Sequence, residues 1–264
     1  HLTPVTLELG GKSPAIVAPD FALDQAAERL LWAKLLNAGQ ICTNVDYLLL
    51  PEGREQAFIE HAQRIAAARF PNLLNGDYTA IIDQRQYDRL QAMLQDAQAQ
   101  GATLIPLLPG QAGDAARRIL PPVLVLNATP AMQVLQREIF GPILTILTYR
   151  SHEEVVQYIN ARQHPLALYI YSHDKAVQDF YLHHTLSGGV SINDSLIHTG
   201  LHNLPFGGVG HSGMGHYHGY EGFLTFSKLR PVFKQSRWRT VDLLMPPYGK
   251  RAYQLLKFMF WRNR

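Results

Sequence analysis

Short apolar runs alternate with segments of helical periodicity along most of the chain, and that alternation is the strongest constraint on its fold. Residues 5–9 read as a strand that ends at Gly10-Gly11, and residues 15–18 form a second apolar run. Leu23, Ala27, Leu30, Leu31 and Leu35 recur at helical spacing, which predicts a helix over 24–37. Strand-like runs follow at 45–50, 120–126, 143–148, 166–171 and 189–192. Helical patterns lie between them at 58–66, 84–100, 153–161 and 175–184. Such alternation implies an α/β fold with a mostly parallel sheet flanked by helices, because parallel neighbours need a crossover element. Residues 198–222 break the pattern. They are rich in Gly and His and read as an ordered loop or an approach surface. Residues 223–233 read as an extended strand.

The composition, 47% apolar and 17% charged, suits a globular chain with a sizeable core. No run approaches the roughly 18 apolar residues of a membrane span. No basic segment followed by an apolar stretch marks a signal peptide. The net charge of +3 is uneven: residues 237–264 hold seven Lys/Arg and one Asp, so residues 1–236 carry −3. The body therefore lacks the basic stripe that nucleic-acid binding requires. One cysteine and no disulfide framework fit a reducing, cytoplasmic setting. The chain opens at His1 rather than Met, with strand-like residues at once, so it reads as a fragment or a processed product.

Two residues stand out chemically. Cys42 follows Gly39-Gln40-Ile41 at the end of the first helix and has no partner for a disulfide. It is either a small apolar core residue or a nucleophile. Glu8 sits inside an apolar strand just before two glycines. It is either an exposed strand-end acid, paired with Lys12, or a buried carboxyl whose raised pKa suits it to take a proton from water.

The surrounding motifs carry a resemblance. Leu7-Glu8-Leu9-Gly10-Gly11-Lys12-Ser13-Pro14 resembles the active-site glutamate signature of the aldehyde dehydrogenase superfamily, and residues 35–46 resemble its cysteine signature, with Cys42 34 residues after Glu8. Arg137-Glu138-Ile139-Phe140-Gly141-Pro142 resembles its Glu-x-Phe-Gly-Pro motif, and residues 205–215 its late glycine-rich loop. The four occur in family order within residues 1–235. Asn44-Val45-Asp46-Tyr47, Tyr217-His218-Gly219 and Pro246-Pro247-Tyr248 lean towards the class 3 branch, with bacterial coniferyl aldehyde dehydrogenases the nearest group.

The resemblance implies roles position by position. Cys42 is the nucleophile, forming a thiohemiacetal and then a thioester. Glu8 activates the water that releases a carboxylic acid. Glu138 holds the nicotinamide-side ribose of NAD or NADP with Phe140 nearby, although a glutamate at 138 also reads as a surface charge. Leu9 and Gly10 lie against the nicotinamide. Asn193 and Phe206 help shape the substrate pocket, with residues 195–204 at its mouth. Lys12 is structural. Residues 1–11 are then the end of a dinucleotide-binding domain that is otherwise largely absent, and 12–198 the catalytic domain. Residues 199–236 are the glycine-rich loop and an oligomerisation strand that suggests a homodimer, and 237–264 a basic tail. An oxyanion-hole amide and most of the cofactor cradle would precede residue 1, so the expectation is an enzyme part with little activity alone. Competing readings are a non-catalytic oligomerisation or binding fragment and a cofactor-independent thiol esterase.

The twelve histidines match no standard zinc spacing and read as structural or surface groups. Of the aromatic residues Trp32, Tyr47, Phe140, Phe206 and Phe223, only Phe140 and Phe206 sit in motifs that place them at a channel. In the tail, Ala252, Leu255, Leu256, Met259 and Phe260 share one helical face, with Lys250, Arg251, Gln254 and Lys257 off it. This reads either as a helix docked on protein or as peripheral contact with an anionic membrane.

Overall fold

The chain alternates strands and helices as its periodicity requires. In the computed structural model, which describes residues 2–239, 245–246 and 248–261, β1 (Leu7–Glu8), β2 (Ser13–Val17), α1 (Leu23–Leu35) and β3 (Val45–Pro51) come first. Then follow α2 (Glu55–Arg69), α3 (Gln84–Ala99), β4 (Thr103–Pro106), β5 (Val123–Leu126), the short α4 (Gln133–Gln136) and β6 (Ile143–Tyr149). The run ends with α5 (His152–Asn160), β7 (Ala167–Tyr171), α6 (Lys175–His184), β8 (Gly189–Ile192), β9 (Gly213–Met214), α7 (Gly219–Thr225) and α8 (Lys250–Trp261). Asp242, Pro247, Arg262 and Arg264, which enter the tail patterns above, lie outside the described residues.

Seven strands make one sheet in the order β4-β5-β6-β3-β2-β7-β8, and every pair is parallel except β4-β5. The expected mostly parallel α/β architecture is therefore what forms. Side chains alternate between two apolar layers. Ala15, Val17, Leu48 and Leu50 face the core built with α1, α2 and α3. Ile16, Tyr47 and Leu49 face a second core with Val155 and Ile159 of α5 and Tyr181 of α6. Burial on both faces explains why these strands read as continuous apolar runs rather than alternating ones. Each fully buried Leu or Ile contributes roughly 1.5–3 kcal/mol. Asp83, Ser151 and Asp174 cap α3, α5 and α6 by accepting from Gln86 N (2.7 Å), Glu154 N (3.3 Å) and Ala176 N (2.8 Å).

Several boundaries differ from the sequence reading. The 5–9 run pairs only at Leu7–Glu8, antiparallel to β9. The 120–126 run begins pairing at Val123, because Pro121 and Pro122 have no N–H to donate. Strand β4 was not expected from the sequence. It is an edge strand of four residues, too short to show a period. The strand expected over 223–233 does not form within the chain. Residues 223–225 belong to α7, and 226–236 carry no helix or strand pairing. The chain divides into two compact units, His1–Phe226 and Ser227–Arg264; the sheet and the four motifs belong to the first.

Lys34, near the end of α1, is fully buried and donates to Val45 O at 2.8 Å. Burial, only partly offset by Asp46, brings its ammonium pKa down to about 7. Between that value and its ordinary 10.5 the folded chain binds fewer protons than the unfolded one, so this group adds stability as pH rises through the window. Relative to a Lys34→Met variant, the wild-type chain gains on the order of 1–3 kcal/mol of unfolding free energy between pH 7 and pH 10. Urea unfolding at the two pH values measures it, and a pH-independent difference contradicts the assignment.

Candidate active site

The cysteine turn depends on a backbone that only strong local support can hold. After α1 a short 3-10 turn, Leu36–Gly39, places Asn37 and Ala38 at φ 52° and 50°, in the left-handed region. Side-chain amides supply the support. Asn37 Nδ2 donates to Gln40 O at 3.0 Å, and Gln40 Nε2 donates to the carbonyls of Asn37 and Ala80, both at 3.1 Å. Gln40 Oε1 accepts from Ile82 N at 2.9 Å. Gly39 has φ 77°, and a Cβ there would lie 2.2 Å from Gly141 O, so the turn is pressed against the Phe140-Gly141-Pro142 backbone. Asn44 Nδ2 closes the turn on Ala33 O at 2.7 Å. Cys42 sits within it, half-buried, just ahead of β3.

A buried ion pair fixes the next piece. Lys12 pairs with Asp46, which is 3% exposed, and Lys12 Nζ also donates to Val134 O (2.8 Å) and Arg137 O (2.9 Å). Asp46 Oδ2 accepts from Ile139 N at 2.8 Å, and the Arg89 guanidinium donates to Glu138 O (3.3 Å) and Ile139 O (2.6 Å). Backbone 137–139 is thereby held from both sides. The Glu138 carboxylate faces Gly10 so closely that a Cβ at Gly10 would lie 2.2 Å from Glu138 Oε2. Lys12 is structural as expected, and its carboxylate partner is Asp46 rather than Glu8.

Glu8 is exposed, which selects the strand-end reading over the buried one. Strand β1 pairs on one side only, with β9, and among the described residues nothing covers the carboxylate. Its partner is the Tyr217 hydroxyl, which donates to it. Tyr217 is placed by a reciprocal pair with Phe206: Phe206 N donates to Tyr217 O at 2.8 Å and Tyr217 N to Phe206 O at 2.9 Å. Their rings meet edge to face at 5.6 Å, and His218 stacks on Phe206. Leu9 is exposed and its N–H donates to Ser212 O at 3.0 Å, tying the glutamate segment to the glycine-rich loop. Phe140 is half-exposed with φ 48°, a further strained position. Asn193 follows the end of β8. Its Oδ1 accepts from Ser172 N at 2.9 Å, and its carbonyl accepts from Arg29, so its side chain ties β8 to the end of β7.

The electrostatics bind Cys42, Glu8 and Glu138 into one site. Burial, then the carboxylates of Glu8 and Glu138, push the Cys42 thiol above its ordinary pKa, while the backbone N–H groups of Thr43 and Cys42 favour the thiolate. Burial pushes the Glu138 carboxyl up to about 7, against a hydrogen bond from the Gly11 backbone. Burial, followed by its bond to Glu8, raises the Tyr217 phenol to about 12. Beside Glu138, a cleft of ≈ 860 Å³ is lined by Gly10, Gly11, Lys12, His211 and Ser212 among others. A nucleophile, an acid–base carboxylate open to water and a second carboxylate at a cleft suit acyl chemistry on sulfur.

Asp46, Tyr217 and Lys34 belong to this neighbourhood, and sequence reasoning gave none of them a role in it. A charged residue inside the apolar Val45–Pro51 strand was a usable signal for Asp46, since lone buried charges are rare. Tyr217 left no such trace, because its link to Glu8 depends on the pairing of residues far apart in sequence.

Neutralising either carboxylate removes a charge that opposes the thiolate. Glu8→Gln and Glu138→Gln therefore each raise the rate of Cys42 alkylation by iodoacetamide at pH 8, by roughly two- to tenfold. Slower alkylation in both variants contradicts the geometry.

Known proteins resemble this chain over nearly its whole length. The model of the aldehyde dehydrogenase family matches residues 1–232. A probable coniferyl aldehyde dehydrogenase of Pseudomonas aeruginosa is 49% identical over 263 residues, 99% of this chain and 54% of the relative. A coniferyl aldehyde dehydrogenase of a Pseudomonas species is 46% identical over 98% of this chain and 55% of the relative. The solved structure of Staphylococcus aureus AldH in a substrate-bound state superposes with a TM-score of 0.87 at 37% identity, covering 98% of this chain and 56% of that one. The chain thus spans about half the length of the curated relatives it matches, and it belongs to the aldehyde dehydrogenase family.

Proposed function

We propose that this chain supplies the catalytic half of an aldehyde dehydrogenase that oxidises an aldehyde to a carboxylic acid with NAD or NADP. The observation that carries the reading is the convergence of Cys42, Glu8 and Glu138 on one site from segments up to 130 residues apart. The Cys42 thiolate, favoured by the Thr43 and Cys42 N–H groups, adds to the aldehyde carbon, and the Cys42 N–H also supports the resulting oxyanion. Loss of hydride leaves a thioester on Cys42. Glu8, open to solvent and oriented by Tyr217, takes a proton from the water that hydrolyses it.

The residues present fit the nicotinamide end of the cofactor. Gly10 leaves room where a Cβ would collide with Glu138, and the adjoining cleft is within the size range of small-molecule sites. NAD or NADP, when bound, supplies the hydride acceptor. Glu138 would hold the ribose hydroxyls, with Leu9, Gly10 and Phe140 bordering the ring and Phe206 on the substrate side. Among the relatives, one from Canis lupus familiaris is described as dimeric and NADP-preferring, and solved neighbours include NAD- and NADP-dependent enzymes. A homodimer in the cytoplasm is the corresponding proposal for this protein. The coniferyl aldehyde dehydrogenase relatives point to an aromatic aldehyde.

A hybrid that joins the N-terminal half of the Pseudomonas aeruginosa relative to this chain tests the reading. It forms NADH or NADPH from coniferyl aldehyde, the 264-residue chain alone forms little or none, and Cys42→Ala in the hybrid lowers the rate by on the order of a thousandfold or more. Retained activity in that variant overturns the assignment of the nucleophile.

The tail adds a second proposal, peripheral contact with an anionic membrane. Residues 227–264 hold ten Lys/Arg and one Asp, a net +9, whereas residues 1–226 carry −6. On α8, Leu256, Met259 and Phe260 of the apolar face are exposed while Leu255 is half-buried and Ala252 buried, and Lys250, Arg251 and Lys257 are exposed off it. No helix among the described residues is long and apolar enough to cross a membrane, so the contact is interfacial. The chain co-sediments with phosphatidylserine-containing vesicles and not with pure phosphatidylcholine, and loses this on removal of residues 249–264. Equal sedimentation with and without those residues removes the proposal.

A further inference from the structure

We infer that Tyr169 is a positioning residue for Cys42, and that its hydroxyl couples the segment at the substrate mouth to the turn that carries the nucleophile. Tyr169 lies in the middle of β7 with no exposed surface. Its hydroxyl donates to Thr43 O, on the residue that follows Cys42. The Leu196 backbone N–H lies against the same phenolic oxygen. One buried atom is therefore the shared corner of the cysteine turn and of segment 193–200.

The mouth segment needs such a corner. Leu196 has φ 65° and Asn193 φ 60°, left-handed conformations that a leucine adopts only when its surroundings enforce them. The His198 ring meets the Tyr169 ring edge to face at 5.9 Å. His198 is held in place by Ser191, whose Oγ lies 2.7 Å from His198 Nδ1. Nε2 on the far side is buried without a partner among the described residues, and burial keeps the ring neutral. A phenylalanine at 169 would fill the same space, so what the hydroxyl adds is a hold on the Thr43 carbonyl.

That hold reaches the sulfur through a single residue. The Thr43 N–H is one of two backbone donors that favour the Cys42 thiolate. Fixing the Thr43 carbonyl fixes the orientation of the residue that carries this donor. The same hydroxyl thus joins segment 193–200 to the turn that holds the Cys42 thiol. Tyr171 provides a control within the same strand. It points to the same core, and its hydroxyl lies 2.7 Å from Ser195 Oγ, also in the mouth segment, but it has no bond to the cysteine turn.

The inference rests on Cys42 as the nucleophile, but alkylation reads the thiol whatever reaction it serves, so failure of one leaves the other standing. In the 264-residue chain, Tyr169→Phe slows alkylation of Cys42 by iodoacetamide at pH 8 by about three- to tenfold and moves the pH midpoint of the rate up by roughly half to one unit. Tyr171→Phe stays within about twofold of wild type. A Tyr169→Phe rate within twofold of wild type, a faster rate, or an equal effect of Tyr171→Phe overturns the inference. If Tyr169→Phe does not fold, His198→Asn carries the test. It removes the ring edge that orients Tyr169 and slows alkylation at least about twofold, and an unchanged rate overturns the inference.

Discussion

The ion pair between Lys12 and Asp46 is the interaction on which the site depends. Its two residues stand at the starts of adjacent strands, β2 and β3, next to the glutamate and cysteine motifs respectively. Burying both charges is costly unless their remaining hydrogen-bonding capacity is met. The backbone of 134–139 meets it, through the carbonyls of Val134 and Arg137 and the N–H of Ile139. Satisfying the buried pair therefore docks a segment more than 90 residues away. That docking brings the Glu138 carboxylate to Gly10, and the Gly141 backbone to Gly39. Three of the four motifs meet because one polar cluster has to be completed.

The same neighbourhood sets the reactivity of the thiol through opposed effects. Partial burial and two carboxylates disfavour the Cys42 thiolate, while two backbone N–H groups favour it. Glu138, at about 7, is itself close to its titration point near neutral pH, so its charge is sensitive to anything that enters the cleft. Glu8, by contrast, is exposed and within reach of water.

The fold was legible in the sequence wherever an element was long enough to show its period. The expected positions of α6 and β8 match those observed, and α3 ends one residue before its expected limit, just ahead of Gly101 at φ 94°. Legibility failed at elements whose state depends on partners. Strand β4 forms because β5 lies beside it. The 223–233 run pairs with no strand among the described residues, and its first residues join α7. Glu8 was left open between exposure and burial for a similar reason. A carboxylate in an apolar pentapeptide suggests burial, and only the one-sided pairing of β1 shows that it is open.

Motif order and spacing alone established the family, and with it Cys42, Glu8 and Glu138 as the residues of interest, because the chemistry of thiols and carboxylates is carried by residue type. What the sequence could not give was how these residues are held. The Lys12–Asp46 pair, the Tyr217 bond to Glu8 and the corner at Tyr169 all join residues far apart in the chain. Each depends on hydrogen-bond geometry of about 3 Å, which no periodicity encodes and only the folded sheet brings about.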